Sequence, residues 1–301
     1  MDLSIVIVSW NVKEKLRECL GSVEETTQRH PERLPAQAGS EGSRDSRDGR
    51  DSSPSAQNDE LSYEVFVVDN ASKDGSVQMV EKEFPWVHVI ANRENFGFAK
   101  ANNQAIRLSQ GRYVLLLNPD MRVLGDDDLP PPLNPPLGQG GKVGGDTLCG
   151  MMKFMDDAAN EKVGVAGCHL IAPTPPNPPS GRGGNQSASP PFEGGVRGGY
   201  ETVPHVRRFP KLLDQLAIMI KLAHLWPQIL DSYMMRNFDY SQEARVDSIR
   251  GSFFMIRREV LDKIGLLDEG FFIWFEEVDF CKRAIAAGYE VAYTPLVKAV
   301  D

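Results

Sequence analysis

Tyr113-Val-Leu-Leu-Leu-Asn-Pro-Asp120 decides how the chain is to be read. Its first five residues are aromatic, β-branched or aliphatic with no polar interruption. That is the pattern of a strand buried on both faces inside an α/β sheet. Pro119 has no N–H to offer a ladder, so the strand stops there. A carboxamide and a carboxylate are left at the carboxyl edge of a central strand, where open α/β sheets bind ligands. Asp120 suits a hard cation there, and Asn118 a nearby hydroxyl. The same residues also make an ordinary Asn-Pro-Asp turn.

Working towards the amino terminus, Tyr63-Glu-Val-Phe-Val-Val68 reads as a second strand ending in Asp69-Asn70, and Leu3-Ser-Ile-Val-Ile-Val-Ser9 as a first, leading into Trp10-Asn11. Leu16, Leu20 and Val23 recur at helical spacing after it. Ser72 to Ser76 supplies turn and N-cap chemistry for a helix with Val77, Val80 and Phe84 inward. Trp86 to Ala91 is a short strand. Phe98 to Ser109 is a helix that Gly111 is expected to close in the left-handed conformation. On the other side, Val163 to Ile171 reads as a buried strand, with His169 a core histidine. Val246 to Arg257 reads as another, with Gly251 permitting close approach of a chain or ligand. Arg258 to Ile264 is a short helix, the segment from Leu267 runs on as a helix to Gly288, and Glu290 to Pro295 is a last strand. The alternation predicts an α/β fold, a mostly parallel central sheet flanked by helices.

Three stretches break the pattern, at about 29–62, 125–145 and 173–199. The first is rich in Ser, Asp, Arg and Gly; the other two share Asn-Pro-Pro followed by glycines. None holds enough apolar surface to offset its ordering entropy, so all three are expected to be low-complexity insertions into one domain covering 1–301. A proline-rich docking ligand is the functional alternative. Leu212 to Leu230 is apolar but carries Asp214, Gln215, Lys221, His224 and Pro227, with Arg207, Arg208 and Lys211 ahead of it. It reads as a peripheral membrane-facing element or as a helix packed on the sheet.

The chain has 301 residues and a formal net charge of -9, which argues against a phosphate-neutralising nucleic-acid surface. Four cysteines lie scattered without a Cys-x-x-Cys pair, so neither a zinc site nor a disulfide framework is indicated. Neither a signal peptide nor a bilayer-long apolar run is recognised. The expected compartment is the cytoplasm, including the inner face of the plasma membrane.

Glu276, Glu277 and Asp279 follow the aromatic segment Phe271 to Phe275. Acids at the start of a helix are favoured by its dipole, and Asp279 with Arg283 makes an i,i+4 ion pair. Three acids beside aromatic rings also make a place to hold a general base. The Gly-x-Gly-x-x-Gly fingerprint and the phosphate loop ending Gly-Lys-Ser/Thr are both missing, which weakens dehydrogenase and NTPase readings.

Five stretches in order carry a resemblance: Ile5-Val-Ile-Val-Ser-Trp-Asn11, Val67 to Ser76, Asn95-Phe-Gly-Phe-Ala99 with Asn102-Asn103, Leu117-Asn-Pro-Asp120, and Phe271 to Arg283. Together they resemble the inverting family 2 glycosyltransferases of the GT-A fold, near the bacterial rhamnosyltransferase-like members. The resemblance implies transfer of a sugar from a nucleoside diphosphate sugar (dTDP- or UDP-linked) to a glycan or lipid-linked acceptor in cell-surface polysaccharide synthesis. It implies that Ser9, Trp10, Asn11 and Asp69 hold the base, with Asn95 and Gly97 in the donor site. Asn118 and Asp120 match the family's Asp-x-Asp position, with Asp120 on a divalent metal, Mg2+ or Mn2+. Glu277 stands where the acceptor's general base is expected, with Glu276 the competing candidate, and Arg283 braces the acids or the leaving diphosphate. Such enzymes continue with a histidine and further helical sequence; here no histidine follows His224 and the chain ends at Asp301. The alternative is a catalytically impaired sugar-nucleotide-binding module.

Overall fold

A computed structural model describes residues 1–28, 62–125, 146–174, 200–211, 231–235 and 237–301. The expected insertions, save for their edges, and the expected membrane-facing segment Leu212 to Leu230 lie outside the described residues. The amino-terminal elements are β1 (Leu3–Ser9), α1 (Lys13–Gln28), β2 (Tyr63–Asp69), α2 (Ser76–Glu83), β3 (His88–Ala91), α3 (Phe98–Leu108), β4 (Tyr113–Leu117) and β5 (Arg122–Val123). Then come α4 (Thr147–Asp156), β6 (Val163–Pro173), β7 (Tyr200–Thr202), β8 (Val206–Arg207), α5 (Asp231–Met234), β9 (Ala244–Arg245) and β10 (Ser248–Ile249). The chain finishes with β11 (Phe253–Arg257), α6 (Arg258–Ile264), α7 (Glu276–Ala286) and β12 (Glu290–Val300).

The main sheet has the order β3-β2-β1-β4-β11-β6-β12-β5. Its alternating side chains divide between two cores. Leu3, Ile5 and Ile7 of β1, with Tyr113, Leu115 and Leu117 of β4, join Leu16, Leu20 and Val23 of α1. Val6, Val114 and Leu116 face the other way, onto Ala101, Ala105 and Ile106 of α3 and Phe280 of α7. Both faces of the central strands are thus dry, which is why their sequences are continuously apolar.

β3, β2, β1 and β4 run parallel. β11 then inserts antiparallel between β4 and β6. The sheet is therefore mixed rather than mostly parallel. A strand buried on both faces carries the same apolar run in either direction, so its sense is not written in its residues.

Gly111 does not close α3 in the left-handed conformation; Ser109 is the cap residue. Gly111 instead passes against β1. A Cβ there would lie 2.4 Å from the Ser4 nitrogen, and its N–H donates to Ser4 Oγ at 2.7 Å. Close approach, not left-handed backbone, is what requires glycine.

Candidate active site at the carboxyl edge of the sheet

Parallel register fixes the first part of the site. Ser9 pairs with Asp69 and Ile7 with Leu117, so β1, β2 and β4 end on the same edge. Ser9 is fully buried, and its Oγ has no hydrogen-bond partner. Asp69 is buried beside it: Oδ2 accepts from the Ser72 N–H at 2.8 Å, while Oδ1 is buried without a partner. Two adjacent orphaned polar atoms at a strand edge are a feature that a bound polar ligand would satisfy. Trp10 is exposed at the end of β1. Asn11 has a left-handed φ of 54°. Its N–H donates to Ser72 Oγ at 2.8 Å, and its Oδ1 accepts from the Lys73 N–H at 2.7 Å. Asn11 thus ties the loop after β1 to the loop after β2.

Asn118 leaves β4 facing the chain that enters β11. Its N–H donates to the Ser252 carbonyl at 3.0 Å and its Nδ2 approaches Ser252 Oγ at 3.5 Å, so its amide oxygen is not used in these contacts. Asp120 stays accessible, with its side chain 38% exposed and Lys15 Nζ 3.6 Å from Oδ2. Among the described residues, no group of three or more His, Cys, Asp or Glu gathers to hold a metal. The accessible carboxylate of Asp120 is of a kind that a divalent cation arriving on a diphosphate can use. Mg2+ in such sites takes one or two carboxylates and completes its shell with phosphate and water.

The acids enter from the other flank. Phe275 caps α7, and both Trp274 (φ 69°) and Phe275 (φ 73°) are left-handed. Non-glycine residues in this region are strained, and such strain concentrates at functional sites. Phe272, Ile273, Trp274 and Phe275 are all exposed, Trp274 by 73%. Asn95 Oδ1 accepts from the Gly97 N–H at 2.9 Å, and the next N–H, of Phe98, donates to the Phe272 carbonyl at 2.8 Å. The Asn95–Gly97 turn is thereby the floor on which the aromatic loop rests.

Glu276 is 4% exposed and its Oε2 has no partner. Burial, then the charge of Glu277, push its carboxyl up to about 7. Glu277 is also raised by burial, with Arg250 opposing. It lines a cavity of about 300 Å³ with His205, Arg207, Ser248, Arg250 and Trp274. Gly251 leaves room there, since a Cβ on it would stand 4.0 Å from that of Glu277.

Arg283 is committed to neighbouring groups. Its Nε donates to Asp279 Oδ2 at 2.6 Å, and its other two nitrogens to the Ile264 and Leu266 carbonyls, each at 2.9 Å. All three nitrogens are engaged, so it braces Asp279 and the turn after α6. Sequence reasoning did not place Arg207, Arg250 or His205 in the site; they sit in or beside two-residue strands, too short for a periodic signal to pair them.

Residues 53–135 match the family model described as glycosyl transferase family 2. A 61-residue stretch is 41% identical to TuaG of Bacillus subtilis, a glycosyltransferase named for teichuronic acid biosynthesis, covering 19% of this chain and 24% of that protein. A 55-residue stretch is 38% identical to the low-salt glycan biosynthesis hexosyltransferase Agl10 of Haloferax volcanii, covering 18% of each. Each match thus spans a quarter or less of the relative. Among solved structures, the mannosyltransferase PcManGT of Pyrobaculum calidifontis, in complex with GDP-Man and Mn2+, superposes with a TM-score of 0.51 at 16% identity over 99% of this chain and 56% of that one. GalNAc-T7 with UDP, GalNAc and Mn2+ gives 0.54 at 15% identity over 100% and 43%. The chain has the α/β fold of the GT-A glycosyltransferases, and its residues 53–135 carry the sequence pattern of glycosyl transferase family 2.

Proposed function

We propose that this chain, folded as one domain, moves a sugar from a nucleoside diphosphate sugar to a hydroxyl of a glycan or lipid-linked acceptor, with inversion. One observation carries the reading. The orphaned atoms of Ser9 and Asp69 stand at the carboxyl ends of β1 and β2, and Asp120 follows the end of β4 on that edge. Asn70, next to Asp69, donates through Nδ2 to the Gly97 carbonyl, and the neighbouring Phe98 N–H holds the Phe272 carbonyl of the loop that leads into Glu276 and Glu277. The family match over 53–135 supports the transferase class, and the nucleotides and Mn2+ in the two superposed structures support the donor type and a cation.

In this reading Ser9 and Asp69 accept the base, and Asp120 with Asn118 holds Mg2+ or Mn2+. A bound cation would neutralise charge building on the departing diphosphate. Glu277 takes the proton of the acceptor hydroxyl as that oxygen bonds to the anomeric carbon and the bond to the diphosphate breaks. Glu277 is preferred to Glu276 because it reaches the cavity, whereas Glu276 is closed off. A raised carboxyl pKa suits this role, since it brings the base nearer to neutral pH. The second reading, an impaired sugar-nucleotide-binding module, is favoured by Lys15 beside Asp120 and by Asn118 in place of an acid.

The test is a binding and turnover screen with UDP-, GDP- and dTDP-sugars, with and without Mn2+. Metal-dependent binding with release of nucleoside diphosphate supports transfer. Binding without turnover on any acceptor supports the second reading, and absence of binding to all donors refutes both.

A further inference from the structure

The cavity that holds Glu277 has a basic wall. β8 and β10 form a two-stranded antiparallel ribbon in which Arg207 pairs with Ser248 and Val206 with Ile249. The Arg250 N–H donates to the His205 carbonyl at 3.1 Å, extending the ribbon by one residue. Arg207 and Arg250 both line the cavity, together with Trp274 and Glu277.

The two arginines differ in what balances them. Arg250 has Asp301 Oδ2 at 3.3 Å from its Nη1 and feels Glu277. The half-buried Arg207 spends Nη1 on the Val206 carbonyl at 2.9 Å and Nη2 on the Pro204 carbonyl at 3.1 Å. Among the described residues it meets no carboxylate. Two neighbouring guanidinium groups in a partly enclosed space repel each other unless an anion lies between them. Such forks also recognise oxyanions with more geometric definition than a lysine would.

None of Ser9, Asp69, Asn118 or Asp120 lines this cavity, so the groups assigned to the donor and its cation are not part of its wall. We propose that the acceptor is anionic: a sugar or polyol carrying a carboxylate or phosphate, whose charge is held by Arg207 and Arg250 while its hydroxyl faces Glu277. The exposed indole of Trp274 offers a stacking surface for the ring of such an acceptor. This inference rests on the transferase reading and adds the substrate class to it.

The experiment uses ligand-observed NMR on the full chain with Mg2+ and UDP, GDP or dTDP, whichever binds. Methyl β-D-glucuronide is compared with methyl β-D-glucoside, and glycerol 3-phosphate with glycerol, at low and high salt. At least one anion should bind about tenfold or more tightly than its neutral counterpart, with the preference fading in salt. The pair that responds tells carboxylate from phosphate. Arg207→Gln should remove the preference, and Arg207→Lys should keep most of it and show that the fold survives substitution there. Nucleotide affinity should stay unchanged in both variants. Nucleotide binding without any anion preference overturns this inference alone, as does loss of nucleotide affinity in Arg207→Gln, which would place the arginine on the donor. Failure of every nucleotide to bind overturns the transferase reading and this inference with it.

Discussion

Gly97 lies directly beneath the Phe272 carbonyl: a Cβ on it would stand 2.3 Å from that oxygen. The backbone there has φ 81°, a conformation that side chains disfavour. The Asn95–Gly97 turn and the loop before the acids are thus fitted backbone to backbone. Gly97→Ala should cost more than ~1 kcal/mol of stability, because the left-handed strain and the clash add. It should also shift Trp274 fluorescence, since the loop must move. Unchanged melting and an unchanged emission spectrum would show that the two loops are not coupled.

Glu277→Gln keeps the shape of the side chain and removes its ability to take a proton. Turnover should fall ~10²–10⁴-fold, the usual contribution of general base catalysis, while donor affinity stays within about twofold. Measuring nucleotide release beside donor binding separates the two. Equal losses in both would mean that Glu277 serves the donor and not the acceptor.

Lys15 and Asp120 are partly exposed, 62% and 38% by side chain, so their pair at 3.6 Å contributes ~0–1 kcal/mol at most. A divalent cation on a diphosphate should displace Lys15 easily. Lys15→Ala should leave melting nearly unchanged and lower the Mn2+ concentration that half-saturates donor binding. Asp120→Asn should abolish the Mn2+ dependence. Equal Mn2+ responses in the parent chain and both variants would exclude this carboxylate as the cation's ligand.

Much of this site was legible from local chemistry. Tyr113 to Leu117 reads as a doubly buried strand because nothing polar interrupts it, and Asp69, Asn118 and Asp120 follow as polar residues at strand ends. What sequence could not supply is strand sense and remote pairing. β11 runs antiparallel, although its apolar run would serve equally in parallel. Arg207 and Arg250 meet through a ribbon of two-residue strands, too short for any periodicity to announce. Trp274 and Phe275 take left-handed backbone against their own preference, held by contacts made far away in sequence. Arg283 shows the reverse lesson. Its i,i+4 spacing from Asp279 was readable, but its two carbonyl partners, in the turn after α6, were not.

Glu276 makes stability depend on pH in a definite direction. Its carboxyl moves from an ordinary 4.5 to about 7 through burial and the nearby charge of Glu277. The folded chain therefore holds this proton more tightly than the unfolded chain. Below 4.5 both states are protonated and nothing is lost. Between 4.5 and about 7 the unfolded chain releases its proton first, so stability falls as pH rises. Above that window the full cost of a buried, repelled carboxylate is present, on the order of 2 kcal/mol after allowing for partial solvation. Glu276→Gln removes the charge but not the shape. It should raise the melting temperature by several degrees at pH ~8 and leave it nearly unchanged at pH ~4. Glu277→Gln should move the melting profile the same way, because Glu277 is itself raised by burial and its charge repels Glu276. Differential scanning calorimetry of the three chains across pH reads both effects. A Glu276→Gln gain that is equal at every pH would mean that the residue does not titrate in this window.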